Sequence, residues 1–484
     1  MSTKGIAMNP ETLDTQIAVV GAGAAGLAAA VAAAENAADV ILLEKRSSPG
    51  GNAARAEGLL AAESPVQKRF KIDAQRDVIF RIAMDHAHWK LDPRIVRTFV
   101  DRSADTIQWL EDKGVVFSRV PHYYPNQRIR TWHLLSRGGI ELVEILVKNG
   151  QDLGVRMLKE TTAKRLLTDG KGNITGVMAD TQEGEFKITA KSVIIATGGY
   201  AGNKELLKKY CPQYNENMFC GGLPYTGDGL LMAIEAGAAT EGLGLIQFSG
   251  HAVPGAPVDL VAVADELNTV WVNKKGERFT DEATSYHRFE SINAVIRQPD
   301  SFCYTLFDER IKQNIIEKGI IKGVGTVIPP RTKLTGLGKA LELEADKGNV
   351  RIAGSWDEIA KWIGIKPAVL KATIDEYNAF CDDGYDRLFA KDRRYLDALR
   401  TPPYYALRCY PRFLSTIGGI KINHRMEVLD NNDNPIPGLY AAGVDTGGWE
   451  TDTYNAILSG TTFAFSVNSG RIAAENAARY MMGE

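Results

Sequence analysis

Residues 17–44 predict an α/β fold, on three observations. A short apolar β-type run, Ile17 to Val20, leads directly into Gly21-x-Gly23-x-x-Gly26, and an Ala/Leu-rich helix follows. A second apolar run, Val40 to Leu43, ends on an acid, Glu44. The 484 residues also exceed one ordinary core, which predicts two domains or one domain with a large insertion.

Each part of that first unit has a mechanical reason. Gly21 permits a tight turn, Gly23 lets a pyrophosphate approach the backbone, and Gly26 lets helix and strand pack closely. Ala24 and Ala25 open the helix, whose free N–H groups and partial positive charge suit a phosphate. Glu44 sits where a carboxylate can accept hydrogen bonds from ribose hydroxyls. Glycine-rich turns are common, but a strand before, a helix after and an acid ending the next strand favour a bound dinucleotide over a merely packed turn.

Composition excludes several classes of function. With 44% hydrophobic and 24% charged residues the chain reads as soluble and globular. Lys plus Arg (57) against Asp plus Glu (59) leaves a net charge of -2, so no general attraction to nucleic acid or anionic membrane is expected. Cys211, Cys220, Cys303, Cys381 and Cys409 are scattered, without the spacings of iron–sulfur or c-type haem sites. No metal site is expected. "DHAHW", with His86, His88 and Trp89, lacks the spacing of a helical zinc site and reads as a surface helix. The opening "MSTKGIAMNPETLD" lacks a signal-peptide core, and Glu35, Asn36 and Asp39 interrupt the alanine-rich run before it could span a bilayer. The expected setting is the reducing cytoplasm.

After Glu44 comes "KRSSPGGNAARAEG", and further glycine-bearing stretches follow in order. They are a β-meander ("TAKRLLTDGKGNITGVMA"), "KSVIIATGGYAGN", "YTGDGLLMAIEAGA" and "IPGLYAAGVDTGG". This series resembles the flavoprotein family of fumarate reductase and succinate dehydrogenase. The resemblance implies noncovalent FAD, since no linking histidine stands near "GGNAARAEG". It implies cofactor contacts from Lys45, Gly50, Gly51, Asn52, Ala163, Ala196, Thr197, Gly198, Asp228, Gly443 and Ser459. The family's usual Glu after the last glycines is missing; Val444-Asp445 stands there, so Asp445 would cover the ribityl hydroxyls. "SRGGIELVEIL", with Arg137-Gly138-Gly139, reads as core packing with a secondary FAD role. The order of motifs also implies a discontinuous, Rossmann-like FAD-binding domain at residues 10–245 and 413–484. An α+β capping domain, 246–412, would be inserted between, with the flavin and the cap face making the active site together.

The segment "NTVWVNKKGERFTDEATSYHRFESI" resembles the family's strand, turn and catalytic loop. In that family an Arg beyond the Glu gives a proton while flavin N5 delivers hydride. Arg288 lies six residues after Glu282, two further than the usual pattern, so Arg288 is the expected acid and His287 or Tyr286 the alternatives. An arginine can also stabilise developing negative charge without losing its proton. The carboxylate-gripping His, Arg and His of fumarate-type members are replaced: "FLSTIGGI" offers Leu414 or Ser415, "AILSGTTF" offers Ile457, and "IQFSGHAV" offers Ser249. The family's Glu-x-x-Arg relay is also missing, "VAVADELN" standing in that region. An apolar Ile in place of the Arg would leave a dicarboxylate desolvated and unpaired.

A neutral, ring-bearing unsaturated substrate is therefore expected. Phe248, Phe413, Trp449 and Tyr454, with Tyr225, would sandwich it, and Glu450, Asp452 and Tyr454 would meet its oxygens. Family members acting on neutral rings include ketosteroid dehydrogenases and anaerobic isoflavonoid reductases such as tetrahydrodaidzein reductase. Two alternatives stay open. One is a carboxylate ene-reductase gripping its substrate through Arg412 or Arg297; the other is an FAD-carrying electron-transfer subunit. No second dinucleotide motif follows, so the electron donor is expected to be external: free reduced flavin, ferredoxin or flavodoxin, or an NAD(P)H-dependent reductase.

Overall fold

The computed structural model describes residues 12–124 and 127–483. They form two compact units. The described residues within Met1–Pro212, Gly222–Ile246 and Ser415–Glu484 make the first, and Gln213–Gly221 with Gln247–Leu414 make the second. Residues 213–221 group with the second because Phe219 and Cys220 pair in parallel with Arg412 and Phe413.

The first unit is built on a six-stranded sheet, as the α/β expectation requires. Its strands are β1 (Ile17–Val20), β2 (Val40–Leu43), β3 (Arg156–Leu158), β4 (Ser192–Ile195), β5 (Glu427–Leu429) and β6 (Pro435–Ala441), in spatial order β5-β6-β4-β1-β2-β3. All pairs are parallel except β5 with β6. β1, β2 and β4 are wholly buried, and β6 is buried from Gly438 to Ala441, which is why they read as apolar runs. Register aligns Val20 with Leu43 and Ile195, and Ile195 with Ala441. Gly21, Glu44, Ala196 and Ala442 thus leave the sheet at one edge, the carboxyl ends of parallel strands, where such folds bind ligands.

Helix α1, Ala24–Glu35, is alanine-rich because it packs closely on both sides. A Cβ on Gly470, in helix α2 (Thr461–Met482), would lie 2.1 Å from the Ala25 carbonyl oxygen. The β-meander pairs Thr162–Thr168 with Ile174–Thr181 in a separate four-stranded sheet. No described helix is long and apolar enough to cross a membrane.

The second unit is α+β. Strand Tyr404–Thr416 is its organiser, pairing antiparallel with Cys303–Asp308 and Val350–Ala353. Val270–Val272 extends the sheet beyond Cys303–Asp308. Helices cover it, including Trp356–Ile363 and Pro367–Asp383, separated at left-handed Gly364. "DEATSYHRFESI" is not an open loop: a 3₁₀ turn, Glu282–His287, runs into helix Arg288–Ile296.

Candidate active site

In the first unit three glycines perform three separable tasks. A Cβ on Gly21 would sit 2.4 Å from the Ala196 carbonyl oxygen, at a φ of +101°. One on Gly26 would sit 1.7 Å from the Gly21 carbonyl oxygen, so Gly26 serves packing. One on Gly23 meets nothing within 4 Å. Gly23 therefore opens a cradle at the start of α1, whose N-terminus no side chain caps. Glu44 borders it: its carboxylate accepts from the Ala22 N–H at 3.0 Å and the Arg46 N–H at 2.8 Å. Each oxygen keeps a lone pair for ribose. Backbone donors, open space and a fixed acid fit the pyrophosphate and ribose of FAD.

Gly23→Ala folds with an unchanged apoprotein melting temperature but binds FAD at least about tenfold more weakly, since one misplaced close contact there costs roughly 1.4 kcal/mol or more. Flavin titration of the apoprotein checks it. Gly26→Ala should instead fail at folding.

The neighbouring residues knit this edge together. Lys45 pairs with Asp228 at 2.8 Å and with the Thr226 hydroxyl at 2.7 Å. Gly50 and Gly51 have φ of +116° and +54°, and the Asn52 N–H donates to the Tyr225 hydroxyl at 2.7 Å. The Tyr225 ring lies against Gly198, where a Cβ would be 3.0 Å from it. Asp445 differs from expectation. Its carboxylate accepts from the N–H groups of Thr197, Gly198 (3.0 Å) and Gly199 (2.8 Å) and from the Thr197 hydroxyl (3.0 Å). It fastens the Ala196–Gly199 turn rather than standing free for ribityl hydroxyls, because three convergent N–H groups make an anion nest. Gly443 (φ +70°) donates its N–H to Ser469, Ser459 gives its hydroxyl to the Ala456 carbonyl, and Ala163 is buried in the four-stranded sheet opposite Ala179. Arg137-Gly138-Gly139 heads a helix tight against Ala53: a Cβ on Gly139 would be 1.8 Å from that residue's carbonyl oxygen.

In the second unit Arg288 is 5% exposed and is the first residue of its helix. Its Nη2 donates to Asp265 Oδ2 at 2.9 Å and approaches the Ser249 carbonyl at 3.5 Å. Lys322 Nζ lies 3.6 Å from the same Oδ2. His251 Nδ1 is 3.3 Å from Oδ1, and its Nε2 is 3.2 Å from the Thr305 hydroxyl. Gly250, at φ +69°, makes room, since a Cβ there would be 2.5 Å from Asp265 Oδ2. Burial pulls His251 down to about 4, so it is neutral, and pulls Lys322 down to about 8. Burial alone would raise Asp265, but Lys322 and Arg288 hold it below the usual carboxylate range. Burial pushes adjacent Glu266 up to about 7. Of the three candidates in "SYHR", Arg288 joins this cluster. Tyr286 is half-buried against Tyr395, 3.4 Å between hydroxyls, and His287 is half-buried at the end of the 3₁₀ turn.

Arg412 is half-buried and forms no ion pair among the described residues; burial, then Arg288, lower its pKa. Arg297 is exposed at the far end of the Arg288 helix. Phe248 packs edge-on against Phe413, centroids 6.5 Å apart.

Several expected substrate contacts are otherwise engaged. Trp449 stacks on Phe465 at 4.1 Å and donates its Nε1 to the Thr446 carbonyl, so it belongs to the core of the first unit. The Ser415 hydroxyl donates to the Thr416 carbonyl at 2.9 Å. Tyr454 is buried beside Thr461 and Thr462, and burial pushes it up to about 12. Burial pushes Glu450 up to about 8, so it is mostly protonated at neutral pH. Ile457 is half-buried, its carbonyl accepting from Gln127 Nε2. Asp452 is exposed and pairs with Lys90 at 3.2 Å. His86 is not a bystander on a surface helix: its Nε2 lies 2.9 Å from the Thr453 carbonyl, tethering the loop that carries Glu450 and Tyr454. Asp265, Lys322 and His251 were not legible as a group from sequence. "HAV", "ADEL" and "IIKG" are remote in the chain and share no motif.

The sequence profile described as "FAD binding domain" matches residues 16–460. A vinyl phenol reductase of Lactiplantibacillus plantarum is 34% identical over 479 residues, covering 96% of each chain. A probable fumarate reductase, Ifc3, of Shewanella frigidimarina is 31% identical over 99% of this chain and 77% of that protein. Among solved structures, the open conformation of a flavocytochrome c3 fumarate reductase superposes with a TM-score of 0.77 at 29% identity, over 98% of this chain and 80% of that one.

Proposed function

The chain belongs to the FAD binding domain family and is an FAD-dependent oxidoreductase, and from that premise we propose that it reduces the carbon–carbon double bond of a neutral, ring-bearing alkene. The observation that carries this reading is the buried guanidinium of Arg288, ion-paired with Asp265 at 2.9 Å. FAD, when bound and reduced, would supply the hydride. Arg288 supplies the proton to the neighbouring carbon, so that one hydride and one proton add across the double bond. Asp265 orients the guanidinium, and Lys322 across the carboxylate adds positive charge that favours electron density building on the substrate. In this reading the stretches that would carry a carboxylate grip in fumarate-type members offer the uncharged Ser249, Ser415 and Ile457 instead. The resemblance to a vinyl phenol reductase supports a hydroxyaryl alkene within this class, alongside isoflavonoid and ketosteroid-like compounds. The electron donor in this reading is external, either reduced flavin, ferredoxin or flavodoxin, or an NAD(P)H-dependent reductase; the setting is cytoplasmic.

One observation favours a second reading. Arg412 is a half-buried cation without an ion pair among the described residues, which suits an unsaturated carboxylate. Exposed Arg297 does not share that property. The test is anaerobic. The flavin is reduced, and 4-vinylphenol, an isoflavonoid enone, a ketosteroid enone, acrylate and fumarate are offered separately. Fast reoxidation by a neutral ring compound with fumarate silent is the expected result. Fast reoxidation by fumarate alone would sink the neutral-substrate reading and make Arg412 the carboxylate ligand.

A further inference from the structure

Tyr225 fills the space between two glycine turns of the first unit. A Cβ on Gly198 would lie 3.0 Å from its ring, and one on Gly51 would lie 2.5 Å from its hydroxyl oxygen. The chain around it is stapled to the same turns. The Asn52 N–H donates to the Tyr225 hydroxyl at 2.7 Å, the Leu223 N–H donates to Asn52 Oδ1 at 2.8 Å, and the Gly202 N–H donates to the Tyr225 carbonyl at 2.7 Å. Glu44, Arg46 and Asp445 are the charged groups that act on the phenol. The ring therefore belongs to the dinucleotide edge.

A phenol hydroxyl can both accept and donate a hydrogen bond. In Tyr225 the oxygen accepts from Asn52, while the O–H proton has no acceptor among the described residues. Burial pushes the phenol up to about 12, so the proton is present throughout the neutral range. Close to this hydroxyl is the open cradle of α1. The point where a Gly51 Cβ would stand is 2.5 Å from the hydroxyl oxygen and 3.7 Å from Gly23 Cα, and a Cβ on Gly23 would meet nothing within 4 Å. The phenol and the uncapped N-terminus of α1 thus border one space. An anion in that space is the acceptor the phenol lacks. We propose that the Tyr225 hydroxyl donates to a diphosphate oxygen of FAD and that this bond retains the cofactor. By accepting from Asn52 the oxygen becomes a better donor, because hydrogen bonds in a chain polarise one another. The phosphate oxygen is charged, so the bond is of the stronger, charge-assisted kind.

This proposal rests on FAD being held at this edge and is independent of Arg288 and of the substrate. Tyr225→Phe keeps the ring against Gly198 and removes the hydroxyl. Two measurements on the FAD-loaded enzyme read the change. One is the rate at which free flavin fluorescence appears on dilution, and the other is the phosphorus NMR spectrum of the bound cofactor. FAD should leave the variant at least about tenfold faster, the size of a lost hydrogen bond to a charged acceptor. One of its two phosphorus resonances should move, while the flavin absorption bands stay in place, because the diphosphate is remote from the flavin ring. Wild-type release with both resonances in place would overturn the proposal. Faster release with both resonances in place would overturn it too, and would make Tyr225 a staple of the Asn52 turn. A shifted absorption band with unmoved resonances would make the flavin ring, not the diphosphate, the partner of the phenol.

Discussion

Arg288→Ala lowers turnover by about 10²–10⁴-fold, the range for removing a general acid, and leaves FAD content unchanged. The residues expected to hold the cofactor, Gly21 to Gly26 and Glu44 among them, belong to the other unit, so flavin absorbance per mole of protein should match wild type. Stability should fall only modestly, because Asp265 keeps Lys322 at 3.6 Å and is not left an unpaired buried anion. Arg288→Lys keeps the charge but loses the planar fork, so it should recover only part of the activity. Wild-type turnover in Arg288→Ala would make the arginine a structural partner of Asp265 and transfer attention to His287 and Tyr286.

Glu282→Ala should destabilise the second unit by about 3–5 kcal/mol, the cost of breaking a buried ion pair from one side. Glu282 accepts from Arg278 Nε at 2.7 Å, Arg278 Nη2 at 2.8 Å, Lys391 Nζ at 3.0 Å and the Trp271 N–H at 3.1 Å. Arg278 also pairs with Asp386 at 2.8 Å and lies over the rings of Tyr377 and Phe389. Without Glu282, buried Lys391 has no ion-paired carboxylate among the described residues and Arg278 has one. At roughly 2–4 °C per kcal/mol for a unit of this size, the melting temperature should drop by about 10 °C. The pH dependence has a definite sign. Burial would raise Glu282, yet Lys391 and Arg278 hold it below its ordinary 4.5. Its contribution is therefore fully present above 4.5 and is lost as pH falls through the lower folded value, so the variant should show a weaker acid-side loss of stability. An unchanged melting temperature would mean that this network contributes nothing net.

The same stretch of sequence carries both predictions, and it illustrates where reading residues succeeds. "GERFTDEATSYHR" contains Arg278 and Glu282, four apart, and Arg288, six further on. Local spacing suggests the turn, and the resemblance to the family's loop nominates Arg288. It does not reveal that Glu282 serves stability, because Lys391 and Asp386 come from more than a hundred residues away.

What the sequence by itself determined is the nucleotide-binding edge. Apolar runs, glycines with enforced positive φ or close approach, and an acid at a strand end are local requirements of the backbone. Gly21, Gly23, Gly26 and Glu44 accordingly stand where their spacing says. What only the tertiary structure decided is the partnership of charged and aromatic side chains. Trp449 turned inward onto Phe465, Asp445 took the N–H nest at Thr197–Gly199, and Asp265 gathered Arg288, Lys322 and His251. Those pairings follow from burial, which obliges each charge and each N–H to find a partner, and the partner it finds is set by how the chain packs rather than by neighbours along it.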